Sequence, residues 1–198
     1  IKLDLKVFAT LEDLSRTAGD IFMELHATEG ENRFIVPGGT TPCGFFKYLA
    51  EKTFDWSQTT LIASDERLVE EDSLNSNIGM IRANLLDPIP NDFAPNLIPV
   101  VNGFNQTDSN KILHSLNSAT QSLLPPKAAF LGIGSDGHTA SLFPGRNMVS
   151  RDDESFFYIK KRGESYQRMT LSMHFLSNMP NLTFLVSGKS KHNPLQKI

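Results

Sequence analysis

A single cysteine, Cys43, excludes an intrachain disulfide and a cysteine-based zinc cluster. No apolar run approaches the roughly 20 residues that span a bilayer. The first residues hold no signal-peptide apolar core, so the expectation is a cytoplasmic protein with no membrane partner. Neither sign of charge is in excess: 19 Lys and Arg face 22 Asp and Glu, a net of −3. That balance lacks the electrostatic footprint of a nucleic-acid binder. An anionic small substrate would need a local positive pocket. No internal repeat, low-complexity stretch or linker divides the 198 residues, which read as one domain over 1–198.

What is present is an alternation of strand and helix signals. Residues 1–8 alternate apolar and polar, as a half-buried strand does. Thr10 opens a helix that carries Leu11, Leu14, Ala18, Ile21, Phe22 and Leu25 at helical spacing to about Thr28. Residues 32–36 form a short apolar strand, and Pro42 starts a helix with Phe45, Phe46, Leu49 and Ala50 inward. A strand ends at Ala63. A helix after Asn77 runs to about Leu86, where Pro88 and Pro90 stop it. Further strands are expected at 97–101, 128–131 and 183–187, with a helix through Ile112, Leu116 and Leu123. Two more apolar runs lie at 156–159 and 169–171. The pattern predicts an α/β fold with a mostly parallel sheet covered on both faces.

Three stretches carry candidate chemistry. The loop 38–41 (Gly38, Gly39, Thr40, Thr41) lies between a strand and a helix N-terminus, where bare amides and the helix dipole cradle anions. A plain tight turn with a threonine cap gives the same local pattern. Asp65, Glu66 and Arg67 follow a strand's carboxyl end and would sit on one rim; Arg67 could fork onto a phosphate, and Asp65 or Glu66 could orient it or bind sugar hydroxyls. The alternative there is a solvated charged turn. The third stretch, 132–145, reads GIGSDGHTASLFPG and follows an apolar strand. Its glycines permit tight turns, and His138 can hold or pass a proton near neutral pH.

Other motifs fail on spacing. Gly132, Gly134 and Gly137 satisfy G-x-G-x-x-G, but Pro144 and Gly145 close the segment where a dinucleotide fold needs a long helix. Gly188, Lys189 and Ser190 resemble the end of a P-loop, yet the earlier glycine it requires would be Thr183. No G-x-S-x-G occurs, and the five histidines show no metal-ligand spacing.

The three stretches together resemble the 6-phosphogluconolactonase family. Residues 37–42, PGGTTP, are similar to its GG(S/T)-x-P phosphate loop. DERLV at 65–69, with Asn75, Ser76 and Asn77, is similar to its DER-x-V…SN block. Residues 132–145 match its G-x-G-x-DGH-x-ASLFPG signature, and Gln167-Arg168-Met169-Thr170 and Gly188-x-x-Lys191 match weaker downstream elements. Related glucosamine-6-phosphate deaminases end the third motif differently. Family members continue with a further strand and helix after the counterpart of Lys191, so the expectation is a domain lacking that segment.

The resemblance implies an open, Rossmann-like sheet of the sugar-phosphate isomerase type. It implies hydrolysis of 6-phospho-D-glucono-1,5-lactone in the oxidative pentose phosphate pathway, with no metal and no organic cofactor. His138 would be the base on water, steadied by Asp136. The substrate would be held by Gly38, Gly39, Thr40, Thr41, Asp65, Arg67, Asn77, Gly137, Arg168 and Lys191. A monomer or weak homodimer is expected. The alternatives are a glucosamine-6-phosphate deaminase or isomerase, and a non-catalytic sugar-phosphate sensor.

Overall fold

Residues 34–36 of the first strand are all fully buried. Successive strand residues face opposite ways, so both faces of the sheet at this strand are covered. In the computed structural model, which describes residues 3–98, 109–122, 125–145, 154–160 and 163–196, this strand is β1 (Asn32–Val36). It pairs in parallel with β2 (Thr59–Ala63) and β5 (Ala128–Gly132). β4 (Asn96–Ile98) lies outside β2, and β8 (Leu182–Leu185) lies outside β5. The order β4-β2-β1-β5-β8 is parallel throughout. The expected mostly parallel α/β sheet is therefore present.

The helices start where the sequence has caps. Thr10 accepts from the Asp13 amide at 3.0 Å and opens α1 (Leu11–His26). A cap of this kind contributes about 1 kcal/mol. α1 turns Ala18 and Phe22 inward, where the Phe22 ring meets Phe34 at 4.1 Å and Phe130 at 5.6 Å. Truncating such a ring costs about 3–5 kcal/mol. α2 (Cys43–Ala50) has Pro42 as its N-cap residue and buries Phe45, Phe46 and Leu49. α3 (Asn77–Ile81) runs into a π-helical turn, Arg82–Leu86, and stops before Pro88 as expected. α4 (Ser109–Ser122) precedes β5. The outer part of the strand expected at 97–101 lies outside the described residues, as do residues 146–153.

Two expectations are corrected. Residues 3–8 form no strand, and Leu3, Leu5 and Val7 are 75, 74 and 85% exposed. Their alternation has no sheet neighbour, and a half-buried strand needs one. Secondly, residues 65–67 are not a turn. They form β3 (Asp65–Arg67), which starts a separate antiparallel sheet with β7 (Arg168–Leu171) and β6 (Phe156–Ile159). Ser64 is the junction: its N–H donates to Val36 and its carbonyl accepts from Leu171. Two short helices, α5 (Met173–Ser177) and α6 (His192–Leu195), follow β7 and β8.

Candidate active site

Because β1, β2, β5 and β8 are parallel, their carboxyl ends share one rim, where open α/β sheets form ligand crevices. The segments leaving all four strands line a single cleft of about 440 Å³. Its walls include Gly38, Gly39, Thr40 and Thr41 after β1, Asp65 and Arg67 after β2, 132–135 with His138 after β5, and Ser187, Ser190 and Lys191 after β8. Asn77, at the start of α3, also faces it.

One wall could hold an anion. Gly39 takes φ +88°, a conformation that L side chains rarely adopt, and the loop then enters the N-terminus of α2. Gly38 lies so close to Asn77 that a Cβ there would stand 2.1 Å from the Asn77 amide carbon. The Thr41 hydroxyl is 3.0 Å from that of Ser187, joining the β1 loop to the β8 loop. Arg67 donates through Nη1 to the Asn75 carbonyl at 2.8 Å, and its buried Nε has no partner among the described residues. Lys191 closes the 3₁₀ turn Lys189–Lys191.

The opposite wall carries the imidazole. Gly137 at φ +88° and a bond from the Gly134 N–H to the His138 carbonyl (2.7 Å) fold the loop back on itself. His138 Nδ1 lies 2.5 Å from Asp136 Oδ1, and the ring packs against Phe143 with centroids 4.8 Å apart. Burial would raise the Asp136 carboxyl, but its bonds to the His138 ring and amide outweigh burial and hold it below the usual value. Asp136 and Gly137 are exposed and do not line the cleft.

Glu66 underlies the wall that carries Arg67 and Asn77. It is 2% exposed and accepts from the amides of Arg67 (2.6 Å), Asn77 (2.8 Å) and Ile78 (2.6 Å) and from the Ser76 hydroxyl (3.1 Å). It thereby fixes the start of α3 and with it Asn77. Burial pushes the Glu66 carboxyl up, against those four hydrogen bonds. Sequence reading put Glu66 on the exposed rim; only the pairing of β3 with β7 turns it inward.

Arg168 is not brought to the cleft. It is 4% exposed, with Nη2 and Nε on the Glu164 carboxylate at 2.6 and 2.8 Å. Burial would lower its pKa, but Glu164 and then Asp65 raise it. Asp65 touches the cleft but is 4% exposed, with both carboxylate oxygens bonded inward to Ser141 and Asn77. Ser187 and Ser190 were not anticipated; their one sequence signal is the segment that ends at Lys191. Among the described residues no cluster of three metal-capable side chains occurs, and no helix is long and apolar enough to cross a membrane.

A model of the glucosamine-6-phosphate isomerase/6-phosphogluconolactonase family matches residues 9–198. The chain is 30% identical over 194 residues to a 6-phosphogluconolactonase of Xylella fastidiosa, covering 93% of this chain and 79% of that protein. The solved 6-phosphogluconolactonase of Trypanosoma brucei superposes with a TM-score of 0.81 at 25% identity, over 98% of this chain and 86% of that one. A monomeric glucosamine-6-phosphate deaminase gives the same TM-score at 18% identity, over 98% of this chain and 86% of that one, which speaks for the fold alone.

Proposed function

The chain belongs to the glucosamine-6-phosphate isomerase/6-phosphogluconolactonase family, and from that premise we infer that it hydrolyses 6-phospho-D-glucono-1,5-lactone to 6-phospho-D-gluconate. The reaction is carboxylic ester hydrolysis within the oxidative pentose phosphate pathway, and we assign it to the cytoplasm. The observation that carries the reading is one cleft with an anion wall on one side and a carboxylate-held imidazole on the other.

The phosphate would sit on the amides of Gly38, Gly39 and Thr40, with Arg67 and Lys191 as counter-charges. This local pocket supplies the positive charge that the net −3 does not. His138 Nδ1 donates to Asp136, so the lone pair belongs to Nε2. Nε2 takes a proton from water as the oxygen attacks the ring carbonyl. When the carbon–oxygen ring bond breaks, the same proton passes to the leaving ring oxygen. The lactone is already an activated ester, so no covalent nucleophile is needed. General acid-base help of this kind is worth about 10²- to 10⁴-fold. The same reading takes the protein as a monomer or weak homodimer.

The test is proton release on adding freshly made phosphogluconolactone, measured against spontaneous hydrolysis. The wild type should accelerate it, and His138→Ala should lose most of the acceleration while still binding 6-phosphogluconate. Ammonia release from glucosamine-6-phosphate would support the deaminase instead. Tight binding without turnover would support a sensor.

A further inference from the structure

Behind the cleft runs a chain of buried polar side chains that the reaction scheme leaves unused. Its centre is the Asp65 carboxylate. Oδ2 accepts from the Ser141 hydroxyl at 2.6 Å, and Oδ1 accepts from the Asn77 amide at 3.2 Å. The same Asn77 amide also reaches the Asp65 carbonyl at 2.9 Å. Asn77 in turn lies against the bare backbone of Gly38, in the loop assigned to phosphate. Ser141 is fully buried, three residues after His138, and its own N–H donates to Thr170 at 3.0 Å. One carboxylate thus joins the anion loop to the histidine loop.

Arg168 balances that carboxylate. Its Nη1 is 3.4 Å from the Ser141 oxygen and 3.9 Å from Asp65 Oδ2, while Glu164 grips its other edge. A buried carboxylate without a counter-charge is strongly unfavourable. Bonds to a charged acceptor are shorter and about twice as strong as neutral ones. The guanidinium also lies 5.7 Å from the Phe143 ring, which itself packs on His138. Two routes therefore lead from this network to the imidazole, one through Ser141 and one through Phe143.

We propose that Asp65, held by Ser141 and Arg168, is a positioning residue that sets the span between the anion loop and the His138 imidazole. It fixes where the lactone carbonyl stands relative to the base and does not touch the reacting atoms. Arg168 is then the counter-charge of this strut and no phosphate ligand. The proposal rests on the lactonase reading, because the span matters only if both loops hold one substrate.

Ser141→Ala removes the donor on Asp65 Oδ2 and leaves little space. It should lower kcat by about 10- to 100-fold, as a misplacement near 1 Å does. KM for phosphogluconolactone and the Kd for 6-phosphogluconate should stay within about threefold of wild type. Leu116→Ala, a core truncation in α4, controls for lost stability and should keep kcat at a matched fall in Tm. Arg168→Lys should likewise lower kcat and keep the affinity for 6-phosphogluconate.

If the wild type accelerates hydrolysis but Ser141→Ala turns over like Leu116→Ala, the positioning role is overturned and the lactonase reading stands. A tenfold loss of 6-phosphogluconate affinity in Arg168→Lys, with kcat unchanged, makes Arg168 a phosphate ligand and also overturns it. If the wild type leaves the spontaneous rate unchanged, the lactonase reading falls and the proposal with it.

Discussion

The His138 imidazole rests on the bare backbone of Gly134: a Cβ at that glycine would stand 2.1 Å from Nδ1 and 2.8 Å from Asp136 Oδ1. No side chain fits between the turn and the His–Asp pair. Gly134→Ala must therefore swing the ring and break its 2.5 Å bond to Asp136. We expect a loss in kcat of roughly 100-fold, with KM within about threefold. Steady-state kinetics on phosphogluconolactone decides this; wild-type turnover would show that the ring need not sit where it does.

Arg67 has one donor engaged by the Asn75 carbonyl and a buried Nε without a partner among the described residues. A charge-assisted bond contributes about 1.5–3 kcal/mol, or roughly 10- to 100-fold in affinity. Arg67→Ala should raise KM for phosphogluconolactone by that factor and change kcat little. The same variant should lose far less on gluconolactone without the phosphate. Equal losses on the two lactones would place Arg67 elsewhere than on the phosphate.

Glu66 holds the first turn of α3 with acceptor oxygens alone. Glu66→Gln would turn an amide N–H₂ toward donors, either the Arg67 and Asn77 amides or the Ile78 amide and the Ser76 hydroxyl. The cost should be about 2–4 kcal/mol, seen as a lower midpoint in urea unfolding. The wild-type carboxyl also has a pH signature. Its folded pKa is raised, so stability is greatest below the unfolded value and declines as pH rises through the folded one. Glu66→Gln should remove that part of the pH dependence; an unchanged midpoint would mean that the turn is held by other contacts.

Much of this arrangement was legible in the chain itself. The apolar run 32–36 entering Pro37, Gly38 and Gly39 reads as strand and loop, because a glycine pair after a buried strand has few other uses. The histidine loop reads the same way. The segment 65–67 does not: three charged residues carry no strand signal, and their strand character comes from pairing with β7, which begins at Arg168 a hundred residues later. For the same reason Arg168 resembled a free cation; its partner Glu164 is four residues away, but on no helix that would bring the two together. Residues 3–8 show the converse, an alternation with no sheet to join.

His26 offers a test of the core remote from the cleft. It ends α1, half-buried against Phe34, Phe54 and Trp56, with Nε2 2.8 Å from the Thr59 hydroxyl. Burial first, and the Lys127 ammonium second, lower its pKa from 6.5. The unfolded chain therefore takes up this proton before the folded one as pH falls. The stabilisation is complete above 6.5 and is lost as pH drops from there through the folded value. Unfolding free energies at about pH 8 and about pH 5 should differ more in wild type than in His26→Gln, which keeps a polar group near Thr59 and cannot titrate. The comparison must be made variant against wild type, because other groups titrate over the same interval. Equal differences in the two proteins would mean that the ring protonates as readily in the fold as out of it, and that the aromatic cluster does not exclude its charge.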